Sequence, residues 1–229
     1  MRFVSIIGDS ISTFEGLNPE GYDVFYDREM QQENGLTTAD DTWWGRVIRA
    51  LDADLCVNNA WSGSRVTGFG PSAASSGMRT GALHTRDHKP DMVLIYIGCN
   101  DFANGVPLES GRKALFFKKD RRYFESAYAA MLSGIKRRYP NAVIVCSTLM
   151  RSCVAGYDRW KFPECYGGIE FEKYNQAIRK VCRQENCVLA DVAALNMRYE
   201  TLDGWHPTLE GHELIAHAWL QCLSGSGIL

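Results

Sequence analysis

Short, almost wholly apolar runs alternate along this chain with longer stretches in which apolar residues recur every three or four positions. The runs are Phe3-Val-Ser-Ile-Ile7, Leu55-Cys-Val-Asn58, Met92-Val-Leu-Ile-Tyr-Ile97, Ala142-Val-Ile-Val-Cys146 and Cys187-Val-Leu-Ala190. At that length, with turn residues at their ends, they read as buried strands. Met92–Ile97 is apolar on both faces, as a central strand of a parallel sheet must be. Trp44, Val47, Ile48 and Leu51 then lie on one helical face behind the capping residues Asp40-Asp41-Thr42. Phe124, Ala127, Tyr128, Met131, Leu132 and Ile135 mark a second helix that stops near Pro140, and Phe171, Tyr174, Ile178 and Val181 mark a third. A last helix is expected near Thr208–Cys222, with Ser224-Gly-Ser-Gly beyond it as a frayed tail. Strands alternating with helices predict an α/β fold: a mostly parallel five-stranded sheet covered on both faces.

Two long stretches escape this pattern, from Ile11 to Asp41 and from Thr148 to Gly168. Irregular segments of that length in a compact domain usually serve as lids or binding walls. No repeat, low-complexity block or composition shift divides the chain, so one domain over residues 1–223 is expected, with 224–229 as the tail.

Charge adds exclusions rather than a function. The chain has 25 Lys+Arg against 27 Asp+Glu, a formal net charge of −2, which gives no reason to expect nucleic acid or an anionic membrane as partner. No apolar stretch approaches the ~20 residues of a transmembrane helix. The amino-terminal apolar run is too short for a signal peptide, and the expected location is cytoplasmic. Eight cysteines occur without a Cys-x-x-Cys pair, several inside the strand-like runs, and are expected to be reduced and packed as small hydrophobes.

The first strand ends in Gly8-Asp9-Ser10, which delivers a serine hydroxyl to the carboxyl edge of the sheet, where open α/β sheets bind ligands. If the strands are parallel, Gly63 leaves the second at the same edge and Asn100 the third, while Asp203 and His206 follow the fifth. Serine becomes a nucleophile when a histidine takes its proton and a carboxylate fixes that histidine's tautomer. Asp203, three residues before His206 on one tight turn, has the reach to bind Nδ1 and leave Nε2 facing Ser10. The backbone N–H groups of Ser10 and Gly63 and the side-chain amide of Asn100 are the candidate donors for an oxyanion. Asp9 and Asp101 are expected to brace their loops, and Cys99 to pack.

Gly8-Asp9-Ser10, Gly63 in Asn-Ala-Trp-Ser-Gly, Gly98-x-Asn100-Asp101 and Asp203-x-x-His206-Pro207 resemble, in order and at plausible separations, the four motif blocks of the SGNH (GDSL-type) hydrolase superfamily. The resemblance spans nearly the whole chain, with Ile11 standing where the family's name has leucine. It implies a three-layer α/β/α sandwich of flavodoxin-like kind. It also implies Ser10 as nucleophile with Asp203–His206 as its base dyad, Ser10, Gly63 and Asn100 as the oxyanion hole, and no cofactor. The family includes lipases, thioesterases, lysophospholipases and carbohydrate deacetylases, so the substrate stays open.

Other motifs fail on spacing. His212 and His217 stand five apart rather than the four that a metal-binding helix needs. His84 and His88 lack a third ligand, Gly63–Gly70 lacks the Lys-Ser/Thr of a phosphate loop, and no Gly-x-Ser-x-Gly is present. No metal site is expected. Trp61 inside the second block and Trp205 beside His206 are the candidate substrate walls; Trp43, Trp44, Trp160 and the Tyr22/Phe25/Tyr26 cluster lie on segments that could reach the same edge. Aromatic walls with polar companions suit a small polar alcohol or sugar bearing a short acyl chain, and residues 23–41 are too polar for a lipase lid. The expected partner is therefore a small-molecule acyl ester. A thioesterase or lysophospholipase acting on longer chains, and a non-catalytic binding protein of the same fold, are the alternatives.

Overall fold

The computed structural model describes residues 2–109 and 120–228. Its centre is a five-stranded, all-parallel sheet built from β1 (Arg2–Gly8), β2 (Ala53–Ala60), β3 (Met92–Tyr96), β4 (Val143–Ser147) and a strand near the carboxyl terminus, Val188–Ala190. In space the order is β2-β1-β3-β4 followed by Val188–Ala190. The five predicted runs are the five strands. β3 is buried at every position, which is why its sequence has no polar face.

Right-handed crossovers fix which face each helix takes. The step from β1 out to β2 runs through α1 (Arg28–Glu33) and α2 (Trp43–Ala50). The chain then reverses direction across the sheet, using α3 (Gly77–Gly81), the short α4 (Cys99–Ala103) and α5 (Phe124–Arg138), then α6 (Phe171–Gln184). α3, α5 and α6 pack together, and α7 (Leu209–Gly225) returns to α2. The outcome is three layers, α/β/α. Trp43 of α2 stacks on Trp219 of α7 at 4.9 Å, and Tyr96 of β3 meets both indoles edge-on.

Reversal of direction beside β1 creates a crevice at the carboxyl ends of β1 and β3, the place where sheets of this order bind ligands. Register puts Gly8 opposite both Ala60 and Tyr96, so the three strands end level and release Ser10, Gly63 and Asn100 along one edge.

Three features depart from the sequence reading. Within Thr148–Gly168 the chain forms β5 (Arg151–Val154) and β6 (Cys165–Tyr166), the latter in a small hairpin with β7 (Ile169–Glu170). Val188–Ala190 is thus β8, and it is followed by a 3-10 turn (Val192–Leu195) and by β9 (Arg198–Thr201), which pairs in parallel with β5. Asp203 and His206 leave β9, not the fifth strand of the main sheet. β9 buries only Tyr199 and Thr201, an alternation too brief and polar to register as a strand. Finally, α7 continues to Gly225, past Cys222. No helix among the described residues is long and apolar enough to cross a membrane.

Candidate active site

Ser10 opens a single 3-10 turn, Ser10–Ser12, capped by Asp9, whose carboxylate accepts from the Ile11 N–H. The turn folds back so closely that a Cβ on Gly8 would lie 2.5 Å from Ser12 Oγ, so residue 8 must be glycine. Trp43 Nε1–H donates to Ser12 Oγ and Trp44 Nε1–H to the Ser12 carbonyl. Both tryptophans are buried and hold the serine turn from beneath; they are not substrate walls.

His206 is carried by the turn after β9, and that turn is tied down residue by residue. Thr201 Oγ1–H donates to the Cys153 carbonyl and accepts from Gly204 N–H. Ser152 Oγ–H donates to Gly204 O at 2.6 Å, Tyr199 Oη–H to Trp205 O at 3.0 Å, and Tyr26 Oη–H to Pro207 O at 2.7 Å. The β5–β9 pair is therefore the platform of the histidine. Ser152, Tyr199 and Thr201 carry no sequence signal for that role, because their hydrogen bonds join positions ~50 residues apart or lie within a turn whose shape no motif encodes.

His206 Nε2 lies 2.9 Å from Ser10 Oγ, and Nδ1 lies 2.6 Å from Asp203 Oδ2. The other Asp203 oxygen accepts from the N–H groups of Trp205 and His206, each at 2.8 Å. Partial burial raises the Asp203 carboxyl, but hydrogen bonds from the His206 ring and backbone and from Trp205 outweigh it and hold the group at about 2. An ionised carboxylate only accepts, so Nδ1 carries the proton and Nε2 is free to take one from Ser10.

Gly63 has φ +72° at an exposed bend, a conformation that L side chains rarely adopt. Neither its N–H nor that of Ser10 donates to a protein group among the described residues. Asn100 Nδ2 donates to the Ser64 carbonyl at 3.0 Å, and an amide has two N–H groups, so one remains for a substrate oxygen. Asp101 accepts from the N–H groups of Val66 and Thr67 and from the Thr67 hydroxyl, tying the Gly63 loop to α4.

Arg79 is the residue that sequence reasoning missed. Its guanidinium is fully buried at the ends of β1 and β2 and makes no ion pair among the described residues. Instead its N–H groups go to Asn59 Oδ1, the carbonyls of Gly8, Asn59 and Ser72, and Ser64 Oγ. All five donors are used. Burial lowers its pKa to about 10, well above neutrality, so the cation is permanent. It stitches the serine strand to the Gly63 loop. Standing 16 residues past Gly63 in the small, turn-rich stretch, it had no pattern to announce it.

Asp9 is the electrostatic anomaly. Burial raises its pKa to about 7 against the Ile11 hydrogen bond, and its Oδ2 has no partner among the described residues. The native state thus holds a proton that the unfolded chain releases near 3.8. Between those values the folded form binds more protons, so stability falls as pH rises from about 4 to about 7. Asp9→Asn keeps the Ile11 acceptor and removes the titration. Its melting temperature relative to the parent protein is expected to rise steadily from pH 4 to pH 8 in thermal melts.

Of the aromatic candidates, Trp61 stacks on Tyr22 at 4.1 Å with its Nε1–H on Asp23 Oδ2, and both rings are partly exposed. Trp205 is partly exposed and packs against Phe162 and Tyr166. Trp160 lies against Gly204, where a Cβ would approach it to 2.8 Å. Tyr26 is buried, and Phe25 lies on the His206 ring. The stretch from Ile11 to Asp41 is pinned to the sheet: Asn18 Nδ2 donates to the carbonyls of Asn58 and Ala60, and Ser62 N–H donates to Asp23 O.

A family model of GDSL-like lipase/acylhydrolase matches residues 2–153. The chain belongs to that family. Membership places it among the carboxylic ester hydrolases. A multidomain esterase of Ruminococcus flavefaciens is 24% identical over 96% of this chain, which spans 28% of that relative's length. Among solved structures, a GDSL-like lipase of Bacteroides ovatus superposes with a TM-score of 0.74 at 26% identity, covering 98% of this chain and 99% of the other. An acetyl xylan esterase of Geobacillus stearothermophilus gives 0.60 at 20% identity, covering 97% and 94%, and shares the fold.

Proposed function

We propose that the GDSL-like domain hydrolyses short-chain acyl esters through a Ser10–His206–Asp203 triad, with an O-acetylated carbohydrate as the substrate class. The observation that carries this reading is the continuous line from Asp203 Oδ2 through the imidazole to Ser10 Oγ, at 2.6 and 2.9 Å. Ser10 Oγ attacks the ester carbonyl as Nε2 takes its proton; the developing oxyanion is met by the N–H groups of Ser10 and Gly63 and the free amide N–H of Asn100. His206 then protonates the departing alkoxide. Water, deprotonated in turn by Nε2, releases the acid and restores Ser10.

The stacked Trp61–Tyr22 pair favours a sugar over a lipid. It is a flat, half-exposed face with polar companions, Asp23 on the indole N–H and the Asn59 amide at the Tyr22 hydroxyl. Residues 13–26 are hydrogen-bonded in place beside it, through Asn18 and Thr13. Hydrolysis of p-nitrophenyl esters from acetate to octanoate tests the acyl side. Turnover is expected to peak at acetate and to fall roughly tenfold or more by octanoate, and acetylated xylose or cellobiose should release acetate. Activity that climbs with chain length would instead assign the site to a thioesterase or lysophospholipase.

A further inference from the structure

Three sides of the His206 ring are accounted for. One edge meets Asp203, the other meets Ser10, and one face is covered by Phe25, whose centroid lies 3.4 Å from the imidazole centroid with the planes 11° apart. That ring is held from both sides of the site. Phe25 N–H donates to Thr13 Oγ1 at 2.9 Å, and the same hydroxyl donates to the Ser10 carbonyl at 2.9 Å. The next residue, Tyr26, meets Phe25 edge-on at 5.0 Å and binds Pro207 O through its phenol. The phenylalanine is thus fixed to the turn of the nucleophile and to the turn of the base together.

Resting on the serine-hydrolase reading above, we propose that Phe25 is a positioning residue for acyl transfer: its ring sets the plane of the imidazole, and its π face stabilises the imidazolium formed at His206. The proton inventory shows when this matters. As Ser10 Oγ bonds to the acyl carbon, its O–H bond breaks and Nε2 gains the proton, so the ring is cationic in the tetrahedral intermediate. It is neutral again once the leaving alkoxide has taken that proton. A π face attracts the cation more than the neutral ring, so the contact strengthens where charge develops. The remaining titratable neighbours do not compete for this role. Asp203 stays ionised on the far edge, His212 is held neutral by burial, and the buried Tyr26 phenol stays protonated.

Phe25→Leu keeps apolar cover while removing the π face, and Phe25→Tyr keeps both. In p-nitrophenyl acetate hydrolysis, Phe25→Leu is expected to lower kcat about tenfold with KM within about twofold, and to move the acid limb of kcat/KM to lower pH, because the protonated ring loses a partner. Phe25→Tyr should restore kcat to within about threefold and return the limb. NMR titration of the His206 ring protons, in a Ser10→Ala background that needs no turnover, should show the same downward move of the midpoint in Phe25→Leu, with loss of the upfield ring-current shift. Unchanged kcat and an unchanged midpoint in Phe25→Leu, or an equal loss in Phe25→Tyr, would overturn the proposal. If the single Ser10→Ala variant keeps full activity, the triad itself falls; if only the Phe25 variants behave as the parent, the triad stands and the stacking role alone is lost.

Discussion

Ser10→Ala is expected to lower kcat/KM for p-nitrophenyl acetate by about 10⁴-fold or more, the scale on which removal of a serine nucleophile acts when the rest of the site is intact. The structure explains why the loss should be confined to chemistry. The substitution deletes only Oγ, whose one partner among the described residues is His206 Nε2. The features that hold the turn use the backbone instead: the Ser10 carbonyl accepts from Thr13 N–H and Thr13 Oγ1, and Asp9 caps Ile11. An alanine in the same place breaks none of these bonds, so the melting temperature should stay within a few degrees of the parent. Full esterase activity in the Ser10→Ala protein would remove the basis for the triad, whereas no serine-dependent turnover of any ester by the parent would return the binding-protein reading.

The second large effect is expected at Asp203. Asp203→Asn preserves size and keeps one oxygen to accept from the Trp205 and His206 N–H groups. It replaces an obligate acceptor with a group that also donates, however. With the amide nitrogen turned towards Nδ1, the imidazole proton shifts to Nε2, and Nε2 can no longer accept from Ser10. A fall in kcat of about 10³–10⁴-fold is expected, with KM changed far less. The pH dependence of stability carries a further signature. Asp203 is held at about 2 against 3.8 in the unfolded chain, so its contribution is fully present above the higher value and is lost as pH falls through the lower one. Asp203→Asn should remove that acid-side dependence from the melting curves. Asp9→Asn acts on the opposite slope, because its folded value lies above the unfolded one. A kcat for Asp203→Asn within tenfold of the parent would show that His206 does not rely on this carboxylate.

The two carboxylates differ in environment more than in chemistry. Asp203 sits at a half-open rim with three N–H groups aimed at it, whereas Asp9 is enclosed and, among the described residues, has the Ile11 N–H on one oxygen and no partner for the other. Hydrogen bonds to the ionised form win at the first position, and loss of hydration wins at the second. The spacing of Asp203 to His206 distinguishes their roles in the sequence, but nothing local distinguishes their environments, since each is an aspartate beside a glycine in a turn. The enclosing core residues come from distant parts of the chain.

The same division runs through the whole molecule. The five sheet strands and the long helices were determined by the sequence itself, because burial on both faces of β3 or on one face of α2 leaves an apolar period that local composition cannot conceal. The exits of Ser10, Gly63 and Asn100 were equally open to reading, since parallel strands release them along one edge; the strand that carries Asp203 and His206 was not. Tertiary structure alone decided what holds Ser10, His206 and Asp203 to within a hydrogen bond of one another. β9 is four residues long and half polar, yet its pairing with β5 carries His206. Arg79 is charged and should by composition be exposed, yet it is buried because five acceptors from three segments converge on it. Trp43, Trp44 and Phe25 look alike in a sequence, but the first two support the serine from the core and the third covers the histidine. Periodicity is a local property and is written in the chain; convergence of partners from distant segments exists only once the chain has folded.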